Sequence, residues 1–272
     1  MTLPPPFAAR LAAARNLLFV PAHRPDRFAK AVASGADAII IDLEDAVATA
    51  DKDTARAHAD AWLARGGEAV VRINAYGTPW FEDDLKTVAA HGVPIMPAKA
   101  EDSAVLEHIT AVTEGRCALI PLIETAAGVE NAPALCATAG VVRVAFGSVD
   151  LATQLGIRHD DRLAFAYVRS RLVMASAAAG IATPVDGVTT DLGDADLLAE
   201  DVAHARRLGF GAKLCVHPRQ LAVVQQGFAP TDEEIAWARK VLGAGEAVSV
   251  VDGEMVDKPV LERARGVLDR VR

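Results

Sequence analysis

The stretch Cys117-Ala118-Leu119-Ile120-Pro121-Leu122-Ile123-Glu124-Thr125 places a carboxylate and a hydroxyl directly after a run of apolar residues. A short apolar run that ends at such a break is typical of a strand buried on both faces of a parallel sheet. Parallel α/β folds keep their chemistry at the carboxyl ends of their strands. We therefore interpret this stretch as a central strand with Glu124 at its functional end.

The same sequence of an apolar strand followed by a helix recurs along the chain. The predicted strands cover residues 16–21, 38–45, 69–74, 93–97, 117–125, 141–146, 182–187 and 211–217. A helix is predicted to begin at Pro25 and to end at Gly35. Further helices are predicted over residues 52–63, 80–91, 103–113, 130–138, 165–179 and 197–208. Eight such units close a (β/α)8 barrel. The main alternative is a doubly wound open sheet, but no Gly-x-Gly-x-x-Gly motif follows the first strand.

The predicted fold class is α/β, a single (β/α)8 TIM barrel with an extra C-terminal helical segment. Residues 1–15 are predicted to be a loose N-terminal arm that ends in a short helix, and residues 16–230 form the barrel. Residues 231–272 form a C-terminal helical extension with helices at 232–242 and 259–271. This extension lies outside the eightfold pattern and is a candidate for packing against a neighbouring subunit.

Composition excludes several classes of partner. The formal net charge is −8 and aromatic residues are only 5% of the chain, which argues against nucleic acid as a partner. The sequence has no apolar stretch of about 18 residues and no signal peptide, so no membrane is expected and a cytoplasmic location is predicted. The three cysteines have no metal-ligand spacing and are interpreted as structural.

Polar residues gather where the predicted strands end. Strand alternation places Arg72 on the same face as Val70 and Asn74, and Glu124 on the same face as Leu122. An arginine and a glutamate are thus expected to project into one barrel mouth. The residues at or just beyond strand ends are Asp42, Glu44, Asp45, Arg72, Asn74, Lys99, Glu124, Thr125, Asp150, Asp186 and His217.

Glu124 and Asp150 are predicted to hold a divalent cation, because Asp150 ends the next apolar run, residues 141–149. Carboxylate oxygens suit Mg²⁺, with Mn²⁺ as the alternative, and zinc-type His or Cys spacings are absent from the sequence. Arg72 carries the planar fork that binds a carboxylate or a 2-keto acid. A cation, a carboxylate clamp and an open mouth favour carbon–carbon bond cleavage next to a carbonyl group.

Purely structural roles remain open for several of these residues. Arg72 and Glu124 could form a buried ion pair that only closes the barrel end. Residues 42–45 could be a solvated strand end. His217 is interpreted as a structural hydrogen-bonding residue and the other histidines as surface residues. Lys99 could be a surface lysine, and nothing in the sequence supports a Schiff-base role for it.

Several motifs resemble those of the citrate lyase β-subunit-like (CitE-like) group of the HpcH/HpaI aldolase superfamily. One of them is Ile41-Asp42-Leu43-Glu44-Asp45-Ala46-Val47. The resemblance covers nearly the whole chain in order, through residues 18–21, 24–28, 41–47, 71–74, 121–125, 147–152, 211–220 and 252–259.

The resemblance implies a Mg²⁺-dependent barrel that cleaves or forms malyl-, citramalyl-, citryl- or related 3-hydroxyacyl-CoA, giving a 2-keto acid and acetyl-CoA or a homologue. It also implies a homo-oligomer, a trimer or hexamer. In this resemblance Glu124 and Asp150 match metal ligands and Arg72 matches the residue that binds the keto-acid carboxylate. Asp257 resembles an acid that an adjacent subunit lends to the site. The residues that match coenzyme A contacts are Phe19, Arg27 and Lys30.

Two other functions remain open. One is a CoA-independent class II-type aldolase that acts on 4-hydroxy-2-keto acids. The other is a non-catalytic protein that binds CoA and a metal through a decayed site. Ala22 follows Pro21, and many members of the superfamily carry a glycine at this position. The protein backbone is therefore expected to approach CoA differently here.

Overall fold

The computed structural model describes residues 6–244, 249–251 and 254–271. The first five residues of the predicted arm and parts of the predicted 231–272 extension lie outside the described residues. The chain divides into two compact units, Met1–Gly227 and Phe228–Arg272.

Eight parallel strands form the sheet of the first unit. The sheet order β4-β3-β2-β1-β8-β7-β6-β5 is continuous. A further parallel bridge joins Ile95 to Leu119, with Ile95 N donating to Ala118 O at 2.9 Å, and this bridge closes the sheet into a barrel. The predicted TIM barrel is thus confirmed. The strands are β1 Asn16–Pro21, β2 Ala38–Asp42, β3 Val70–Ile73, β4 Ile95–Pro97, β5 Leu122–Ile123, β6 Ala145–Phe146, β7 Val185–Asp186 and β8 Ala212–Cys215.

Helices surround the barrel, and two of them differ from the prediction. The predicted helix 130–138 is shorter, Ala132–Ala137, with Pro133 in its first turn, and a separate helix over residues 126–130 precedes it because proline cannot continue a helix. Residues 148–155 form a helix that the sequence pattern did not predict. The helices are α1 Pro6–Ala13, α2 Phe28–Val32, α3 Lys52–Leu63, α4 Phe81–His91, α5 Ser103–Val112, α6 Ala126–Glu130, α7 Ala132–Ala137, α8 Ser148–Leu155, α9 Ala166–Ala179, α10 Ala195–Leu208 and α11 Leu221–Phe228.

Prolines shorten the hydrogen-bonded part of several strands without breaking the barrel. A proline has no N–H to donate to a neighbouring strand, but its carbonyl group still accepts. Pro94 O accepts from Val71 N, Pro121 O accepts from Ala145 N, and Pro184 O accepts from Gly211 N. This is why the predicted strands 93–97, 117–125 and 182–187 are longer than the observed β4, β5 and β7.

The inward faces of the strands form one apolar core. It contains alternate residues from strands around the barrel, as expected for a filled (β/α)8 interior. The members are Leu11, Ala14, Leu17, Ala38, Ile40, Val70, Met96, Ile120, Leu122, Ala145, Val185, Ala212 and Leu214.

The described part of the N-terminal segment belongs to this core and is not a loose arm. Leu11 is fully buried, and Ala14 is 2% exposed. Arg143, also buried, donates from Nη1 to Leu11 O at 3.0 Å and to Ala14 O at 2.7 Å. Burial lowers the pKa of Arg143 to about 10, although the charge of Asp37 acts in the opposite direction. Carbonyl groups at the C-terminal end of α1 therefore solvate this guanidinium group.

The second unit contains two helices and a two-stranded antiparallel sheet. Its elements are α12 Asp232–Gly243, β9 Ser249–Val251, β10 Glu254–Val256 and α13 Lys258–Leu268. Thr231 begins α12 with a capping box, in which its hydroxyl accepts from Glu234 N. The helices pack around Ala238, Val241, Leu261 and Ala264. Across the described parts of both units, no helix is long and apolar enough to cross a bilayer.

Candidate active site

On four strands the residue two positions after a core residue also faces inward, toward the C-terminal end of the barrel, and it is polar or aromatic. We call Phe19, Asp42, Arg72 and Glu124 the mouth layer. In β3 and after β5 the predicted alternation is confirmed, because Val70 and Leu122 lie in the core directly below Arg72 and Glu124. Asn74 does not continue this face: its side chain donates to Asp84 Oδ2 of α4 at 2.5 Å.

Arg72 is held by carboxylates at the end of β2 and directly after it. Its Nε and Nη2 donate to the two oxygens of Asp42 at 2.7 and 2.6 Å, and its Nη1 lies 2.9 Å from Glu44 Oε2. Its guanidinium group also stacks on the ring of Phe19, with Cζ 4.8 Å from the centroid. The alternative of an Arg72–Glu124 ion pair is therefore wrong. The proposed solvated strand end is also wrong for Asp42 and Glu44, which are 1% and 6% exposed.

The turn that presents Glu44 is fixed by a buried lysine. Lys52 Nζ donates to Leu43 O at 2.8 Å, to Glu44 O at 2.8 Å and to Asn74 Oδ1 at 2.6 Å. An ammonium group has three N–H bonds, so all of its donors are satisfied. Lys52 thus links the backbone that follows β2 to the Asn74 side chain that follows β3.

Glu124 is almost fully buried at the end of β5. Its Oε1 accepts from the backbone N–H of Lys99 at 2.8 Å. Burial raises the pKa of Glu124 to about 8, although the nearby charge of Arg72 acts in the opposite direction. A buried carboxyl group with such a shift is typical of a functional site, and a bound cation would favour its ionised form.

Gly147, after β6, provides the space that Glu124 occupies. A Cβ atom at position 147 would overlap Glu124 Cβ and would lie 2.6 Å from Glu124 Oε2. Only glycine at position 147 therefore lets the backbone at residue 147 and the backbone at residue 124 keep their present positions.

We expect Gly147→Ala to lower the free energy of unfolding by about 1–3 kcal/mol, because overpacking moves Glu124 or the β6 backbone. Denaturant unfolding measures this change. Gly266→Ala in α13 is the matched control, since no atom lies within 4 Å of a Cβ there. That control is expected to be neutral or stabilising. Equal effects of the two substitutions would contradict the steric argument.

Asp150 lies in the first turn of α8, not at the end of a strand as predicted. The apolar run 141–149 includes both β6 and the start of this helix, so the run extends past the strand. A carboxylate is stabilised at a helix N-terminus by the exposed N–H groups and the helix dipole. Asp150 remains one-third exposed and lines the same cavity as Glu124.

Lys99 is the functional candidate that sequence reasoning underestimated. Its ammonium group forms ion pairs with Glu44, with Asp150 Oδ2 at 3.3 Å and with Asp45 Oδ1 at 3.9 Å. Burial opposes its charge, but the hydrogen bond to Glu44 and the surrounding carboxylates raise the pKa of Lys99. The sequence shows that Lys99 lies just after a predicted strand, but it does not show that Lys99 pairs with Glu44 and Asp150.

A cavity of about 420 Å³, here called the mouth cavity, lies above the barrel core. Arg72, Glu124 and Asp150 all line it, so the structure brings these three predicted residues together. A neighbouring cavity of about 490 Å³, here called the side cavity, is lined by Phe19, Arg27 and Lys30. Phe19, Pro21 and Val216 line both cavities, which are therefore adjacent.

Other predicted residues have structural contacts. Asp257, in the second unit, caps α13 by accepting from Val260 N at 3.3 Å. His217 Nδ1 accepts from Arg219 N at 3.1 Å, in agreement with a structural role. Cys117, Cys136 and Cys215 are buried and free.

The carboxylates of the mouth cavity suit a hard cation. Within residues 6–244, 249–251 and 254–271, no group of three or more His, Cys, Asp or Glu side chains is arranged to hold a metal ion. Two protein carboxylates, with the remaining positions taken by water or ligand oxygens, are the usual way of holding Mg²⁺. Glu124 and Asp150 offer such a pair.

Comparison with known proteins supports the fold and the family. The protein is 37% identical over 269 residues to a citrate lyase subunit beta-like protein of Mycobacterium tuberculosis, covering 95% of this chain and 96% of that protein. It is 34% identical over 267 residues to a (3S)-malyl-CoA thioesterase of Cereibacter sphaeroides, covering 93% of each chain.

A solved structure shows the same fold. The crystal structure of protein CitE from Mycobacterium tuberculosis in complex with magnesium, acetoacetate and coenzyme A superimposes with a TM-score of 0.82. The two chains are 36% identical, and the match covers 95% of this chain and 98% of that one. The family model described as HpcH/HpaI aldolase/citrate lyase matches residues 15–218. The chain belongs to the HpcH/HpaI aldolase/citrate lyase family, which confirms the resemblance drawn from its motifs and the lyase class that the resemblance implied.

Proposed function

We propose that this protein is a Mg²⁺-dependent carbon–carbon lyase that cleaves or forms a 3-hydroxyacyl-CoA thioester such as citramalyl-, malyl- or citryl-CoA. The products of cleavage are a 2-keto acid and acetyl-CoA or a homologue. The observation that carries this proposal is the convergence of Arg72, Glu124 and Asp150 on one mouth cavity, next to a side cavity with free basic residues.

Glu124 and Asp150 are the proposed cation ligands. A divalent cation held there supplies an electrophilic centre that stabilises negative charge on an oxygen of the keto acid. Gly147 keeps the space beside Glu124 open, and the α8 N-terminus orients Asp150. The magnesium in the related CitE complex supports this choice of cation.

Arg72 is proposed to orient the substrate carboxylate. Its Nε and Nη2 are bonded to Asp42, so Nη1, now 2.9 Å from Glu44 Oε2, is the nitrogen that can exchange its partner for a substrate carboxylate. Asp42 and the Phe19 ring hold the guanidinium plane while this exchange takes place. The keto-acid end of the substrate would thus lie against Arg72, with the bond to be cleaved directed into the mouth cavity.

The side cavity is proposed to bind coenzyme A. Arg24 is paired with Asp26, whereas Arg27 and Lys30 form no ion pair with any described residue. Unpaired basic side chains suit the phosphate groups of a nucleotide. Because Phe19 lines both cavities, a thioester arm can pass from the side cavity into the mouth cavity.

The base that removes the hydroxyl proton is proposed to be Asp257 of a neighbouring subunit. The Asp257 side chain is partly buried in its own unit, where it caps α13. This role requires a homo-oligomer, proposed to be a trimer or hexamer, and light scattering on the purified protein measures that state.

We expect Mg²⁺-dependent cleavage of at least one member of a panel of malyl-, citramalyl-, citryl- and 3-hydroxy-3-methylglutaryl-CoA. Steady-state assays that measure keto acid and acyl-CoA products test this. Chelation is expected to stop turnover, and added Mg²⁺ to restore it. Turnover of free 4-hydroxy-2-keto acids without a saturable effect of CoA would favour the CoA-independent aldolase. Binding of CoA with no turnover of any substrate would favour the non-catalytic role.

A second candidate function is thioester hydrolysis, because one relative is a (3S)-malyl-CoA thioesterase. Product analysis separates the two reactions. Hydrolysis releases free CoA and the intact hydroxy acid, whereas cleavage releases a 2-keto acid and an acyl-CoA.

A further inference from the structure

Lys99 contacts both proposed cation ligands. Its backbone N–H donates to Glu124 Oε1 at 2.8 Å, and its ammonium group lies 3.3 Å from Asp150 Oδ2. The same ammonium group is paired with Glu44. A single residue thus places a positive charge among the carboxylates that are proposed to receive a divalent cation.

The backbone of Lys99 adopts a conformation that is rare for a residue with a side chain. Its φ is +49°, in the left-handed region, and in the described part of the chain Glu114 is the other residue besides glycine with positive φ. Such a conformation is strained for a residue with a side chain and persists where surrounding contacts maintain it. Here it allows the N–H to reach Glu124 and the side chain to reach Asp150 at the same time.

Three cationic side chains lie near the five carboxylates of this region, and they differ in their freedom to move. Arg72 has a 10% exposed side chain and is bound through its fork to Asp42. Lys52 has all three donors satisfied. The Lys99 side chain is 38% exposed, so its ammonium group can leave the carboxylates for solvent.

Formal charges show why the site needs a counter-ion. Asp42, Glu44, Asp45, Glu124 and Asp150 carry −5 when ionised, and Arg72, Lys52 and Lys99 carry +3, which leaves −2. Without Lys99 the same groups would carry −3 before any metal ion binds. Repulsion among these carboxylates is therefore reduced by the lysine in the cation-free protein.

We propose that the Lys99 ammonium group is a built-in counter-ion of Asp150 that a divalent cation must displace, so that Lys99 weakens cation binding while stabilising the cation-free protein. This inference rests on the proposed cation site at Glu124 and Asp150. It assigns Lys99 a role in metal affinity and not in the chemical step. The backbone N–H of Lys99 keeps Glu124 in place in both states.

Titration calorimetry with Mg²⁺ alone, and Mn²⁺ titrations followed by electron paramagnetic resonance, test the proposal on the full-length protein. We expect Lys99→Met to lower the Kd for the cation by about tenfold or more, because an opposing charge beside the ligand is removed. The Tm of the cation-free variant is expected to fall, and the increase in Tm on adding Mg²⁺ to become larger. Lys99→Arg keeps the charge and is expected to leave the Kd within a few fold.

Lys86→Met is the matched control, because the Lys86 side chain is 69% exposed and pairs only within α4. If Lys99→Met leaves the Kd unchanged or raises it, the displacement proposal is overturned. If Lys99→Met does not fold, Lys99→Gln takes its place with the same expected Kd, and a tenfold lower Kd in Lys99→Arg would also overturn the proposal. If the unaltered protein binds no cation, or if Glu124→Gln binds it equally well, the proposed cation site itself is overturned.

Discussion

Glu124→Gln is expected to lower lyase turnover by about a thousandfold or more, because it removes one of two proposed carboxylate ligands from a buried site. Glutamine has nearly the same shape, so Gly147 and the Lys99 N–H keep compatible neighbours. The expected loss is therefore chemical rather than steric. Turnover with saturating CoA thioester and increasing Mg²⁺, together with direct cation titration, measures it.

Glu107→Gln in α5 is the control, since Glu107 is exposed. It is expected to keep full activity and unchanged cation affinity. Near-normal turnover of Glu124→Gln that is insensitive to chelators would show that Glu124 holds no catalytic metal ion.

The same substitution has a second readout in the cation-free protein. The folded-state pKa of Glu124, about 8, lies above its ordinary value of 4.5. Between these two pH values the native state binds a proton that the unfolded state has released. The stability that protonated Glu124 contributes is therefore fully present below pH 4.5 and is lost as pH rises through about 8. Urea unfolding across this range is expected to show a weaker pH dependence in Glu124→Gln than in the unaltered protein.

Arg72→Met is expected to have the second largest effect and to reduce both stability and keto-acid binding. Loss of the guanidinium group leaves Asp42 and Glu44 buried without their cation, which costs about 3–5 kcal/mol. The KM for the keto acid in the condensation direction is expected to rise by about 100-fold or more, because the substrate carboxylate loses the charged N–H donor at Arg72 Nη1. Unfolding curves and steady-state kinetics separate the two effects.

Arg72→Lys separates the effect on stability from the effect on keto-acid binding. A lysine retains the charge but not the fork, so we expect part of the lost stability to return without recovery of the KM. Arg116→Met is the control, because the Arg116 side chain is half exposed and lies 3.9 Å from Glu114. An unchanged keto-acid KM in folded Arg72→Met would exclude Arg72 from substrate binding.

The barrel and much of its mouth could be predicted because strand periodicity carries information about faces. The alternation Val70–Arg72 and Leu122–Glu124 is local, and eight repeats define the closed sheet. The α8 helix was missed because the apolar run continues from β6 through Val149 without a polar residue to mark the change of period. The burial of Leu11 and Ala14 could not be predicted locally, because their partners are the barrel core and Arg143, far away in the sequence.

The electrostatic part of the site could not be predicted from spacing alone. Arg72 was expected to bind a substrate carboxylate or to pair with Glu124, but Asp42 and Glu44, about thirty residues earlier, already bind it. Lys99 and Glu44 come together from separate strand ends, and no local pattern indicates which charges will meet. The proposed coenzyme A site at the side cavity was expected only from the family motifs, since Arg27 and Lys30 follow no recognisable chemical spacing.

The vertical order of the barrel, with an apolar layer below and the mouth layer directly above it, has a consequence for directed evolution. Asp45, Ala46 and Val149 line the mouth cavity and are exposed, so new substrates can be sought by changing these residues at small risk to folding. Single-residue insertions inside β3 are different, because they would turn Arg72 outward and Val71 inward together. Libraries built on this scaffold should therefore vary such exposed positions while keeping strand length constant.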